Sequence, residues 1–200
     1  MRGILRSVVA AAVLLVPGAS GVEAQVRVIL GVGGGTVSPL SKSNWTVGSG
    51  SAVKSIGYNA QLIFGVQPAK GIWSVRLDGQ YASLNHETVA SNSGSKDKLS
   101  GANLDLVVHP GRPGTVVRPY ILAGPSLYHD SYRSGTSVGD SSNTKVGFNG
   151  GAGLALGKSD KVWFFVEARY VYTKIFDTSH SFIPVTAGVR ISTHQQYVKK

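Results

Sequence analysis

The stretch VWFFVEARYVYT, residues 162–173, shows two kinds of surface in strict alternation. Its even positions, Val162, Phe164, Val166, Ala168, Tyr170 and Tyr172, carry no charge, whereas Glu167 and Arg169 fall among the odd ones. A repeat of two is that of a β-strand, whose successive side chains point to opposite faces. An ionised carboxylate and a guanidinium are costly inside so apolar a run unless each is paired. The stretch therefore fits a sheet with one wholly apolar face and one face where charges meet each other.

The same alternation recurs in eight stretches, about 25–37, 55–67, 72–84, 99–109, 116–129, 145–157, 162–173 and 182–193, and no stretch after residue 24 has a helical period. One parity of each stretch is free of charge, for example Leu62-x-Phe64-x-Val66 and Leu104-x-Leu106-x-Val108. The opposite parity carries Arg27, Gln61, Arg76, Asp78, Gln80, Asn103, Asp105, Arg118, Glu167, Arg169 and Arg190, with glycines between them. A soluble sandwich or lipocalin would turn the apolar parity inward and the charges to water. A barrel in a membrane would do the reverse.

Two features favour the reverse. Aromatic residues of the apolar parity gather near stretch ends: Tyr58, Tyr81, Phe148, Tyr170 and Tyr172 at one end, Phe64, Trp73 and Phe164 at the other. Aliphatic residues and glycine lie between, as in the two aromatic girdles of a bilayer-spanning barrel. Strands of this length also exceed the ~5–6 residues common in soluble proteins. The connections, 38–54, 68–71, 85–98, 110–115, 130–144, 158–161 and 174–181, alternate long and short, with short turns such as PAKG and KSDK. That is the up-and-down plan of an outer-membrane barrel, with both ends of the mature chain on the short-turn, periplasmic side.

In hydrocarbon an open sheet edge would leave backbone groups unpaired, so the sheet must close. Eight strands enclose just enough space for side chains to fill. The expectation is an all-β, eight-stranded antiparallel barrel with a plugged polar lumen, its arginines meeting Asp78, Asp105 and Glu167. Pro119, Pro125 and Pro184 fall inside strands, where a closed barrel has no edge to spare. Bulges or rim positions are expected there.

The N-terminus supplies the route. Arg2 and Arg6 precede the apolar run Val8–Val16, Pro17-Gly18 ends it, and Val22-Glu23-Ala24 offers a cleavage site. Nine apolar residues are too few for the ~20 of a spanning helix, and the pattern is that of a cleaved secretory signal over 1–24. Residues 25–200 are then the barrel domain with a short C-terminal tail. Glycine, 26 of 200 residues, is abundant, and the net charge is +10, or +9 without residues 1–24. The basic residues are dispersed, which argues against nucleic acid and suits lipopolysaccharide.

The stretches RPYILAGPSLY (118–128), VGFNGGAGLALG (146–157), VWFFVEARY (162–170) and FIPVTAGVRI (182–191) resemble the second half of small eight-stranded outer-membrane barrels of the opacity-protein and outer-membrane-protein-A type. The resemblance implies fold and location, and a structural, adhesive or surface-interacting role. Such barrels end on an aromatic in the last strand; here Ile191 or Tyr197 takes that place.

Candidates for chemistry are sparse. GLALGKS (153–159) has Ala152 where a phosphate-binding loop needs glycine, and GVGGGT (31–36) lacks the third glycine of a dinucleotide fingerprint. His86, His109, His129, His180 and His194 lack metal-ligand spacing, and there is no cysteine. His180 and Ser181 at one rim, with Glu87 nearby, leave a lipid A deacylase or acyltransferase as the alternative, and a narrow passive pore as a further one. No catalytic, cofactor-binding or metal residue is assigned. The expected partners are outer-membrane lipid and lipopolysaccharide, the barrel-insertion machinery, and an extracellular ligand met by loops 38–54, 85–98 and 130–144 of a monomer, through residues such as Lys42, Trp45, Tyr132 and Arg133. The signal reading predicts a mature protein beginning at Gln25. Intact-mass measurement on outer-membrane fractions checks it; a mass that retains residues 1–24 contradicts it.

Overall fold

The computed structural model describes residues 26–40, 51–53, 56–68, 71–88, 96–110, 115–133, 141–158, 161–175 and 178–193 of the chain. They form nine antiparallel strands: β1 (Val26–Pro39), β2 (Ser51–Val53), β3 (Gly57–Pro68), β4 (Trp73–Thr88), β5 (Lys96–Val108), β6 (Val117–Arg133), β7 (Ser141–Leu156), β8 (Val162–Ile175) and β9 (Thr178–Ser192). Eight are staves, each paired with its neighbours in the order β1-β3-β4-β5-β6-β7-β8-β9, and β1 pairs again with β9 to close the ring. Closure gives the backbone groups of every stave a partner without water. The short β2, absent from the sequence reading, extends the sheet outside the ring by pairing with β4 at Thr88, Glu87 and His86.

Side-chain exposure follows the period of two. On β3, Tyr58, Ala60, Leu62, Phe64 and Val66 face out, while Asn59, Gln61 and Ile63 are buried inside. On β8 the outward set is Val162, Phe164, Val166, Ala168 and Tyr170. All the aromatics of the two girdles lie on the outer surface: Tyr58, Phe64, Trp73, Phe148, Phe164 and Tyr170 are exposed, Tyr81 and Tyr172 half-buried. Tyr58 packs beside Tyr81 at 6.5 Å between ring centres, and Phe148 beside Tyr172 at 5.1 Å. Large apolar side chains such as Leu62, 65% exposed, and Phe164, 61%, thus cover the wall of the ring. In water such a surface would be an aggregation site; against lipid it is the stable arrangement.

The strands run further than their apolar pattern. β4 and β5 continue to Thr88 and Lys96, β6 and β7 to Arg133 and Ser141, and β9 begins at Thr178. Loops expected over 85–98, 130–144 and 174–181 therefore shrink to the residues between those ends, and long no longer alternates with short. Beyond the tyrosine girdle the sequence is polar on both parities. The ladder continues because paired backbone groups remain satisfied, but no alternation marks it. Ile191 is the outward apolar residue at the end of β9, and Tyr197 lies outside the described residues.

The expected bulges are not formed. Partner pairs on both sides of Pro125 keep one register along β5–β6, from Asn103↔Ser126 to Leu106↔Ala123, and the rungs between are simply skipped. Pro184 does the same between Ala168↔Val185 and Val171↔Phe182. On their other sides both prolines remain in ladder, opposite Phe148 and Val37. A proline lacks only one donor, so it directs the deficient side at a skipped rung. Pro119 lies past Ile121, the last β6 residue paired with β5, at the rim. Close backbone approach accompanies the skip at Pro125, where a Cβ on Gly124 would collide with the Leu104 carbonyl; on the β1 side of β9, one on Gly35 would collide with that of Val185.

Ala168, opposite Ala152 and Val185 at mid-height of the outer wall, makes the wall testable. Ala168→Arg is expected to cost ~2–4 kcal/mol of insertion free energy, read as loss of the heat-modifiable folded band after refolding into bilayers. Undiminished folding of that variant would mean that Ala168 does not face hydrocarbon.

Candidate functional site

Inside the ring, Arg76 and Asp78 of β4 and Asp105 of β5 meet Glu167 and Arg169 of β8 across the lumen, each 3% exposed or less. The Arg169 guanidinium reaches all three carboxylates. Its Nε donates to Glu167 Oε1 at 2.5 Å, its Nη1 to Asp105 Oδ2 at 2.9 Å, and its Nη2 to Asp78 Oδ2. Arg76 donates from Nε to Asp78 Oδ2 at 2.9 Å and from Nη2 to Glu167 Oε2 at 2.7 Å. Charge-assisted pairs of this kind are the strong class of hydrogen bond, and desolvated charges need them.

Neutral groups complete the cluster. Tyr120 Oη donates to Glu167 Oε2 at 2.9 Å, and Gln61 Nε2 lies 3.5 Å from Glu167 Oε1. Glu167 thus takes donors from β3, β4, β6 and its own strand. Asn149 Nδ2 donates to Asp105 Oδ1 at 2.8 Å and to Ser126 Oγ at 3.1 Å. It also reaches the Gly124 carbonyl at 3.2 Å, beside the rung skipped at Pro125. Gln80 Oε1 accepts from Tyr128 Oη at 2.5 Å and from Asn103 Nδ2 at 3.4 Å. Thr186 and Asn59 form a smaller bonded pair at 3.1 Å, and Asn59 continues to the Thr36 carbonyl.

The balance differs from five cations against three anions. Two arginines engage three carboxylates, so the bonded cluster carries one net negative charge. Arg190 reaches no carboxylate and lies 5.3 Å from the centre of the Tyr120 ring. Arg118 lies over the Trp163 ring at 4.3 Å, and Arg27 sits half-buried on the second residue of β1, away from the cluster. These three are on residues near the strand ends, too far along the axis for the central acids.

The inward parity is also less polar than the charged residues alone suggest. An apolar layer of Val37, Ala82, Leu99, Tyr128, Val171 and Phe182 lies on one side of the charges. A second, of Val107, Tyr120, Leu122, Ala155 and Trp163, lies on the side of the chain ends. The bulk of these layers is seated on glycines. A Cβ on Gly153 would strike the Tyr120 ring, one on Gly101 the Tyr128 ring, and one on Gly33 or Gly188 the Phe165 ring. Glycine opposite an inward aromatic on the neighbouring strand was the signal for them, a form of cross-strand aromatic cover.

Other sequence candidates fall elsewhere. His129 is exposed and lies 3.2 Å from Thr144 Oγ1. The side chains of His86, Glu87, Tyr132, Arg133 and His180, and all of Lys42, Trp45 and His194, lie outside the described residues. Residues 153–156 belong to β7 and 31–36 to β1, which leaves no nucleotide loop there. No group of acidic, histidine or cysteine residues suited to a metal occurs among the described residues.

The closed ring agrees with the comparisons. Residues 7–195 match the family model described as outer membrane protein beta-barrel domain. The chain belongs to that family. It is a bacterial outer-membrane β-barrel protein. Its fold is similar to that of Neisserial surface protein A at 18% identity and TM-score 0.54, covering 83% of this chain and 96% of that one. The N-terminal barrel of OprF from Pseudomonas aeruginosa gives 17% and 0.54, over 84% and 97%. OprG of the same organism gives 14% and 0.56, over 86% and 97%. No curated protein matches significantly by sequence.

Removing one carboxylate should disturb the whole cluster. Glu167→Gln leaves two guanidinium groups short of a buried partner, and losses of ~3–5 kcal/mol follow such deletions. Urea unfolding of the refolded barrel, followed by tryptophan fluorescence, is expected to show a midpoint shift of that order. A shift under ~1 kcal/mol would mean that water, not Glu167, solvates these arginines.

Proposed function

We propose that this protein is a non-enzymatic, non-conducting outer-membrane barrel that acts at its outer surface, as a structural element or an adhesion-like contact with an extracellular ligand. The observation that carries this is the lumen: a bonded charge cluster held between two layers of side chains. Such packing blocks ions, so function falls to the outer wall and the strand extensions. After export and removal of residues 1–24, both chain ends lie in the periplasm. The extensions of β4–β7 beyond the tyrosine girdle then project outward, and together with the residues between them they supply the contact surface. Lipopolysaccharide is the natural lipid partner for a basic chain of this kind.

Planar-bilayer recording of the purified monomer is expected to show no stable conductance; steady single-channel steps would favour a pore. Mass spectrometry of lipid A from cells with and without the protein is expected to show identical acylation. A change in acyl number would favour the enzyme alternative built on His180 and Ser181.

A further inference from the structure

The end of the lumen nearest the chain termini has an arrangement that the central cluster does not account for. Arg190, on β9, is 8% exposed, yet its guanidinium makes no hydrogen bond or ion pair with any described residue. Its neighbour in charge is Glu167, but both oxygens of Glu167 are already engaged, by Arg169 and Gln61 on one side and Arg76 and Tyr120 on the other. Arg76 and Arg118 lie close enough to oppose the charge of Arg190. A largely buried guanidinium among cations, without an acceptor from the described residues, is an expensive arrangement unless an acceptor joins it.

The surroundings have the form of a cradle. Tyr120 is the common wall: Arg190 lies 5.3 Å from its ring centre, Arg76 5.8 Å and the His109 ring 5.7 Å. His109 is 9% exposed, and its Nδ1 is buried without a partner. Trp163, the cross-strand partner of Arg190, carries Arg118 over its ring at 4.3 Å and so aims a second guanidinium at the same end of the lumen. Two side chains thus offer unused polar atoms at this end of the lumen: the Arg190 guanidinium, and the buried Nδ1 of His109.

We infer that the terminus end of the lumen is a binding site for a small oxyanion, a phosphate or carboxylate group, held by Arg190 with Arg118 and His109 around it. The planar fork of arginine suits two oxygens of one such group. The site does not depend on the lumen conducting, because the central cluster lies beyond it. A phosphate group reaches it either as the free ion or on a lipid headgroup.

The test uses the full mature chain refolded in uncharged maltoside micelles, at constant ionic strength set with chloride. Inorganic phosphate, acetate and dihexanoyl phosphatidylglycerol are titrated separately by calorimetry. Saturable uptake of about one anion per chain is expected, and binding of the lipid alone would assign the site to a headgroup. Arg190→Gln is expected to weaken binding by about tenfold or more, in line with loss of charged hydrogen bonds. Arg190→Lys, which keeps the charge, should retain part of it, and Lys158→Gln, exposed in a turn, should leave it unchanged. The folded gel band verifies each variant, and Arg190→Lys serves if Arg190→Gln does not fold. No saturable binding of any of the three probes, or binding that neither Arg190 variant weakens, overturns the site.

Discussion

The interaction on which the structure depends is the capture of Glu167. Its carboxylate is on a strand whose other face meets lipid, and it receives donors from Gln61, Arg76, Tyr120 and Arg169. Arg169 is on the same strand, two residues away, and the other three come from β3, β4 and β6, distant from Glu167 in sequence. A slip of one residue in β8 would turn Glu167 and Arg169 into hydrocarbon and take from Arg76 and Tyr120 their shared Glu167 acceptor. The ion cluster therefore fixes register around the ring as well as filling it. A buried ion pair is weak evidence of stability in itself, but here its geometry excludes the alternative pairings.

The rest follows from two solvents. Outside, hydrocarbon accepts no unpaired backbone edge, so the sheet must close, and Pro119, Pro125 and Pro184 lie at the rim or at skipped rungs. Inside, eight strands leave room for side chains and little else. The space is divided along the axis, with charges at the centre and apolar layers on either side. Glycine makes that possible, because Tyr120, Tyr128 and Phe165 lie across glycines of the neighbouring strand.

The ring was legible in the sequence because charge is confined to one parity, and that parity separates the two faces wherever one meets lipid. Legibility failed where the contrast vanished. Past the tyrosine girdle both parities of β4–β7 are polar in the sequence, so residues such as those around Lys96 and Ser142 read as loop although they continue the ladder. Within the lumen, Phe165, Trp163 and Phe182 are apolar on the polar parity and gave no contrast with the outer face. Which arginines find an acid was also hidden. Parity places Arg190 inside, but the stagger of the strands decides its height, and it sets the guanidinium beside the Tyr120 ring instead.

The facing of β8 is open to direct measurement, since a chain without cysteine accepts single spin labels cleanly. Each residue from 162 to 173 would be replaced in turn by cysteine, labelled in bilayers, and tested for collision with oxygen and with a water-soluble nickel complex. High oxygen accessibility at the even positions, alternating with low accessibility to both reagents at the odd ones, is the expected result. Water-accessible even positions, or no period of two, would contradict the assignment of this strand between lipid and a packed, charged lumen.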